Sequence, residues 1–225
     1  MKTYALIFSL ILVAIAQKAT ADAYIIIYAT HDGKTGHAGI AIDRYDILVH
    51  DNDEHISAYD SIKTGRLYYY DFWTKHEGND WSMIAQDLEP DYYKFPTAST
   101  AREITLATLS RKSIPHKKDY PPDGIIRIKT QPWQDFQLCL FLDAIIERQP
   151  KFNALRFNCT DFVANAAEFV TGQKVDAREP VFYVRVRTPN QLFKAVSKLE
   201  NAIILKDPGD KINGSFLTER ILKRG

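Results

Sequence analysis

The sequence predicts an α+β fold in which an antiparallel sheet packs against helices and a cysteine sits at a helix N-terminus. Three stretches carry this reading. Residues 23–29 (Ala-Tyr-Ile-Ile-Ile-Tyr-Ala) form a β-branched and aromatic run suited to a buried strand. Residues 37–43 and 46–51, joined across Arg44-Tyr45, look like an antiparallel hairpin with one histidine on each strand. Residues 158–172 (Asn-Cys-Thr-Asp-Phe-Val-Ala-Asn-Ala-Ala-Glu-Phe-Val-Thr-Gly) read as a helix starting at Cys159, with Asn158 as its cap and Gly172 at its end.

The chain begins with a targeting pattern. Met1-Lys2 is a short positive start, residues 4–16 are nearly all apolar, and Ala19-Thr20-Ala21 offers small residues around a cleavage point. This predicts a signal peptide over residues 1–21, cut before Asp22 and too short for a transmembrane helix. Residues 22–225 are then expected to form a single domain, periplasmic or secreted, with no stable membrane span. The net charge of +1 and the lack of a basic tract argue against nucleic acid as a partner. Of the two cysteines, Cys139 falls among Phe136, Leu140, Ile145 and Ile146, so it reads as core in a packed helix and not as half of a disulfide. No close cysteine pair exists for structural zinc, and Ile56 stands where a calcium loop counted from Asp51 needs glycine. No metal or cofactor is expected.

Polar, glycine-rich residues 30–36 predict a loop, and Gly39 in the following strand allows something to approach its backbone closely. Residues 57–60 extend the sheet, and residues 65–73 (Gly-Arg-Leu-Tyr-Tyr-Tyr-Asp-Phe-Trp) make an aromatic strand that reads as core or groove wall. Residues 74–122 have a weaker pattern and are expected to be an irregular insertion, with a short helix within 100–111. Residues 125–129 predict a strand, and Thr130 a cap for the helix over residues 133–148. Further on, residues 181–186 are extended, and Thr188-Pro189 starts a helix whose buried face is Leu192, Val196 and Leu199. A last strand covers residues 202–205, and the basic tail from Lys211 is expected to be solvated.

Phe162, Val163, Ala166, Phe169 and Val170 recur at helical spacing, so one face of the Cys159 helix is expected to be buried. Cys159 then lies in the first turn, where amide N–H groups and the helix dipole favour a thiolate. A small buried hydrophobe is the alternative reading of the same position. A nucleophile also needs a base and usually a group that orients the base. Of six histidines, His37 and His50 fall on predicted strands, which hold geometry better than the loops around His31 and His55 or the irregular region of His76 and His116. The alternative reading of the two strand histidines is as half-exposed residues making ordinary hydrogen bonds.

His37-Ala38-Gly39-Ile40-Ala41-Ile42, followed much later by Asn158-Cys159-Thr160-Asp161-Phe162, resembles the circularly permuted papain-like enzymes. These include relatives of NlpC-type cell-wall peptidases, YiiX/YaeF-like proteins and the lecithin:retinol acyltransferase family. In the permuted order the histidine strands precede the cysteine helix, as they do here. The resemblance implies a permuted papain-like fold, Cys159 as nucleophile, His37 as general base and a polar residue on the next strand as orienter. His50 is favoured for that third position, with Asp51 and Asp60 as alternatives. The implied activity is thiol acyl transfer on a peptide, cell-wall peptide or acyl-amide substrate. It proceeds as an amidase-type hydrolysis or, with the same site, as an acyltransferase or lipid hydrolase; a binding module without catalysis is the third possibility. Asn158-Cys159-Thr160 and Asn213-Gly214-Ser215 match the glycosylation pattern and are expected to be chance matches.

Overall fold

A computed structural model describes residues 21–51, 57–75, 86–96, 103–111 and 120–222; side chains at 47–51, 57–61 and 220–222 are outside the description. The predicted signal peptide and the acidic turn at residues 52–55 therefore lie almost wholly outside the described residues. Strand β1 (Ala21–Tyr28) is buried along its whole length. Its side chains alternate between two apolar layers: Ala23, Ile25 and Ile27 enter one, Tyr24, Ile26 and Tyr28 the other. A strand covered on both faces reads as a continuous apolar run, which is why residues 23–29 carry almost no polar side chain.

β1 pairs antiparallel with β2 (His37–Asp51) on one side and β5 (Gly124–Thr130) on the other. With β3 (Ser57–Thr74), β4 (Pro90–Phe95) and β8 (Ala202–Lys206), they form a six-stranded sheet in the order β4-β3-β2-β1-β5-β8. A separate hairpin joins β6 (Arg178–Val181) to β7 (Val184–Arg187). Four α-helices complete the described chain: α1 (Leu106–Arg111), α2 (Pro132–Arg148), α3 (Cys159–Thr171) and α4 (Pro189–Val196). The larger core lies between one face of the sheet and α2, α3 and α4; the smaller one joins the opposite face to Leu109 of α1. The molecule is thus a mixed α+β protein with an antiparallel sheet packed against helices.

Several expectations are corrected. The hairpin predicted across Arg44-Tyr45 is one continuous strand, and its true partner is β3. Arg44-Tyr45 contains no turn-forming residue. The irregularity sits opposite it, where Asp43 pairs with Leu67 but Tyr45 pairs with Lys63. The extra residues of β3 are accommodated at Gly65, whose φ of 73° is left-handed. Part of the segment read as an irregular insertion is β4, which completes the sheet edge through pairs such as Phe72↔Tyr92. Aromatic residues drive this addition: the Phe72 ring stacks on Tyr92 at 4.5 Å and also meets Phe152, Phe157 and Phe162.

Helix α2 begins after Gln131, not Thr130, and Gln134 Oε1 accepts the Gln131 N–H at 2.9 Å. Its buried stripe is Asp135, Leu138 and Leu142, while Phe136 and Leu140 are exposed. Cys139 is partly buried and packs against the larger core. The tail also differs from its solvated reading. It forms a 3-10 turn (Gly209–Asn213) and a π-helical turn (Leu217–Leu222), buries Phe216, and uses Glu219 to accept the Gly33 N–H at 2.8 Å. Charge in the composition hid these two anchors.

Candidate active site

Helix α3 starts where the sequence places it because Asn158 is occupied in both directions. Its Oδ1 accepts the N–H groups of Thr160 (2.7 Å) and Asp161 (3.2 Å), and Asp161 Oδ2 accepts the Asn158 N–H in return (3.1 Å). Asn158 Nδ2 donates to the carbonyls of Ala154 (2.8 Å) and Arg187 (3.2 Å), fixing the helix start against β7. Such a buried amide nitrogen leaves no room for a glycan. Gly172 closes the helix with φ 66°. Burial pushes the Asp161 carboxyl up to about 6, although the Asn158 N–H and Arg187 pull the other way. Arg187 also holds Asn165 Oδ1 (2.6 Å) and Glu168 Oε1 (2.9 Å), so one side chain grips the polar stripe of α3. Cys159, in the first turn, is only 4% exposed.

The cysteine lines a cleft walled mainly by apolar groups, among them Trp73, Phe152, Ala154, Pro189 and Phe216. Thr35 and Gly36 come from the β1–β2 loop, Arg187 from the end of β7 and Thr188 from the cap of α4. Asn190 holds those two segments together, accepting the Thr30 N–H (2.8 Å) and donating to the carbonyls of Thr30 (2.9 Å) and Gly214 (2.6 Å). The cavity volume is about 30 Å³, enough for a reacting carbonyl, while a larger substrate must extend through the mouth.

His37 opens β2 and is fully buried. Its Nε2 lies 3.1 Å from Asp71 Oδ2, and Tyr69 Oη donates to the same oxygen at 3.2 Å. The register explains the meeting: Asp71 pairs with Gly39, so it is diagonal to His37 on the same strand face. Tyr69 lies across Gly39, where a Cβ would run into its ring and hydroxyl. The close approach expected at Gly39 is therefore that of Tyr69. Burial, reinforced by the Asp71 charge, pushes the Tyr69 hydroxyl far above its ordinary value, so it remains a donor. We expect Gly39→Ala to cost about 1–3 kcal/mol of stability by overpacking. Urea denaturation would check this, and an unchanged midpoint would show that Tyr69 yields without strain.

One ring contact and two features of the surroundings relate the histidine to the cysteine cleft. Trp73 meets the His37 ring edge-on at 5.1 Å and itself lines the cleft. Cys159 contributes to the electrostatic environment of the Tyr69 hydroxyl, which is bonded to Asp71. Helix α3 also packs directly on β2 and β3.

The structure does not bring the expected third residue, His50, beside His37. His50 lies thirteen residues beyond His37 on the same strand, about 40 Å of extended chain, and pairs with Ala58. Asp51 pairs with Ser57, and Asp60 with Leu48, at that same distant end. Asp71 is the carboxylate bonded to His37, and sequence reasoning missed it. A signal was present: an acid inside Leu67-Tyr68-Tyr69-Tyr70-Asp71-Phe72-Trp73 must find a partner if the strand is buried. Among the other histidines, His31 bonds Asp32 at 2.8 Å, while His55, His76 and His116 lie outside the described residues.

Among the described residues, no group of three or more His, Cys, Asp or Glu side chains is arranged to hold a metal ion. No described helix is long and apolar enough to cross a membrane. No family model, curated protein or solved structure matches the chain.

Proposed function

We propose that this chain is an exported thiol hydrolase of permuted papain-like architecture that cleaves an amide bond through an acyl-enzyme on Cys159. One observation carries the reading: the cysteine at the start of α3 lines a cleft whose wall, Trp73, meets a buried histidine bonded to a buried carboxylate. With Nε2 committed to Asp71, proton transfer runs through His37 Nδ1. The imidazole takes the Cys159 proton, the sulfur attacks the carbonyl carbon, and the leaving amine departs with that proton. Water then attacks the thioester, giving its proton to His37, and the thiol is restored. Asp71 holds the ring orientation and stabilises the imidazolium. The Cys159 N–H at the helix start is the natural donor to the oxyanion. Thr188 Oγ1, buried at the cleft wall and making no hydrogen bond among the described residues, is a further polar group for substrate.

The apolar walls favour a second reading, an acyltransferase or lipid hydrolase using the same thiol, because they suit an acyl chain better than a charged peptide. A catalytically silent binder is separated from both by thiol reactivity. Cys139 is an internal control, since burial pushes its thiol up to about 11. With iodoacetamide at pH 7, Cys159 should alkylate about a hundredfold faster than Cys139, with most of that advantage lost in His37→Ala. Equal rates at the two cysteines, or a rate at Cys159 indifferent to His37, would falsify the catalytic assignment.

A further inference from the structure

A second cavity of about 400 Å³ lies away from the cysteine cleft, between one face of α2 and the β2-β3-β4 side of the sheet. Asp135, Phe136, Cys139, Leu140 and Asp143 supply the helix wall, at the three- and four-residue spacing of one helical face. Tyr45, Tyr68, Tyr70 and Lys94 supply the sheet wall. Its size is that of a small-molecule site, and its mixture of aromatic walls with a few polar groups is of the same kind.

The polar groups are not mutually balanced. Lys94 binds both oxygens of Asp143 at 2.7 Å, and Lys63 pairs with Asp43. Asp135 is different: only 1% exposed, it is held by two hydroxyls, Thr130 Oγ1 at 2.6 Å and Tyr45 Oη at 3.3 Å, with no basic partner among the described residues. The Tyr70 hydroxyl is fully buried, with Cys139 and Asp143 beside it. Phe136 and Leu140 are exposed at the rim, where large apolar side chains would be covered by the body of a ligand.

We propose that this cavity binds an organic ammonium ion with an apolar body, its charged group between Asp135 and the tyrosine rings and its body against Phe136 and Leu140. The ammonium supplies the positive charge that Asp135 lacks and offers N–H to the Tyr70 oxygen. This site is independent of the thiol chemistry.

The test uses the full chain and three probes of similar shape: 2-phenylethylammonium, 2-phenylethanol and 3-phenylpropanoate. By calorimetry at pH 8, the ammonium should bind at least about tenfold more tightly than the alcohol, and the carboxylate more weakly than either. Phe136→Lys, at an exposed position, should weaken ammonium binding about tenfold or more without changing the melting temperature. Cys159→Ala should bind the ammonium as the parent protein does. Equal binding of ammonium and alcohol, or no ammonium binding at millimolar concentration, overturns the proposal. So does indifference to Phe136→Lys, and so does loss of binding in Cys159→Ala, which would place the ligand in the other cleft.

Discussion

Asp71→Asn should slow Cys159 alkylation and any turnover by about a hundredfold or more while leaving the fold intact. The substitution keeps the side-chain shape but replaces an acceptor-only group by one with two N–H donors. Asp71 now takes hydrogen bonds from His37 Nε2 and the Tyr69 hydroxyl, both on Oδ2. An asparagine there either turns its NH₂ toward His37, which moves the ring proton to Nδ1, or keeps its oxygen there and loses the negative charge. The first outcome removes the lone pair that must accept the thiol proton, and the second destabilises the imidazolium. Loss of an orienting carboxylate by this route costs up to about 10⁴ in rate where it has been dissected. The melting temperature serves as a control for folding. Retention of the full alkylation rate in Asp71→Asn would show that Asp71 has a purely structural role and that the base is oriented by another group.

The second large effect concerns stability, and it arises in α2. Burial pushes the Asp135 carboxyl up to about 7, the charges of Asp43 and Asp22 add to that, and hydrogen bonds from Thr130 and Tyr45 oppose it. The folded protein therefore prefers Asp135 neutral. A carboxyl raised above its unfolded value of 3.8 adds stability that is fully present below that pH and is lost as pH rises through about 7. The difference corresponds to roughly 4 kcal/mol between pH below 3.8 and pH above about 7, of which roughly 2–3 kcal/mol falls above pH 5. Asp135→Asn has no charge to bury, so it should gain stability relative to the parent as pH rises from about 5 to 8. Comparing urea unfolding of the two proteins across that window cancels most contributions of other titrating groups. A constant gap between them would mean that Asp135 ionises in the folded state as readily as in the unfolded chain.

Patterns local in sequence were legible in advance. The buried β1, the start of α3 at Asn158-Cys159, its end at Gly172 and the start of α4 at Pro189 follow from side-chain alternation, capping chemistry and proline geometry. Such features depend on neighbours a few residues apart, so they can be read along the chain. The hairpin across Arg44-Tyr45 failed because strand pairing is a long-range property. A run of β-forming residues does not state where it turns, and the bulge that decided the register is carried by Gly65 on the partner strand. Once that turn was misplaced, His50 was expected beside His37, where the structure has Asp71. The reading of α2 erred differently. Phe136 and Leu140 have core-like chemistry but face a cavity, and Asp135 has surface chemistry but is buried.

By itself, the sequence determined the class of the fold, the position of Cys159 in the first turn of a capped helix, and the placement of His37 at the start of a strand. These follow from propensity and capping, which act over a few residues. Only the tertiary structure decided what stands beside them: Asp71 and Tyr69 diagonal across the sheet, Trp73 linking His37 to the cleft, and Arg187 and Asn190 bracing its walls. The physical reason is register. Shifting a strand by one residue reverses every side chain on it, so only the assembled sheet can say which acid faces which histidine.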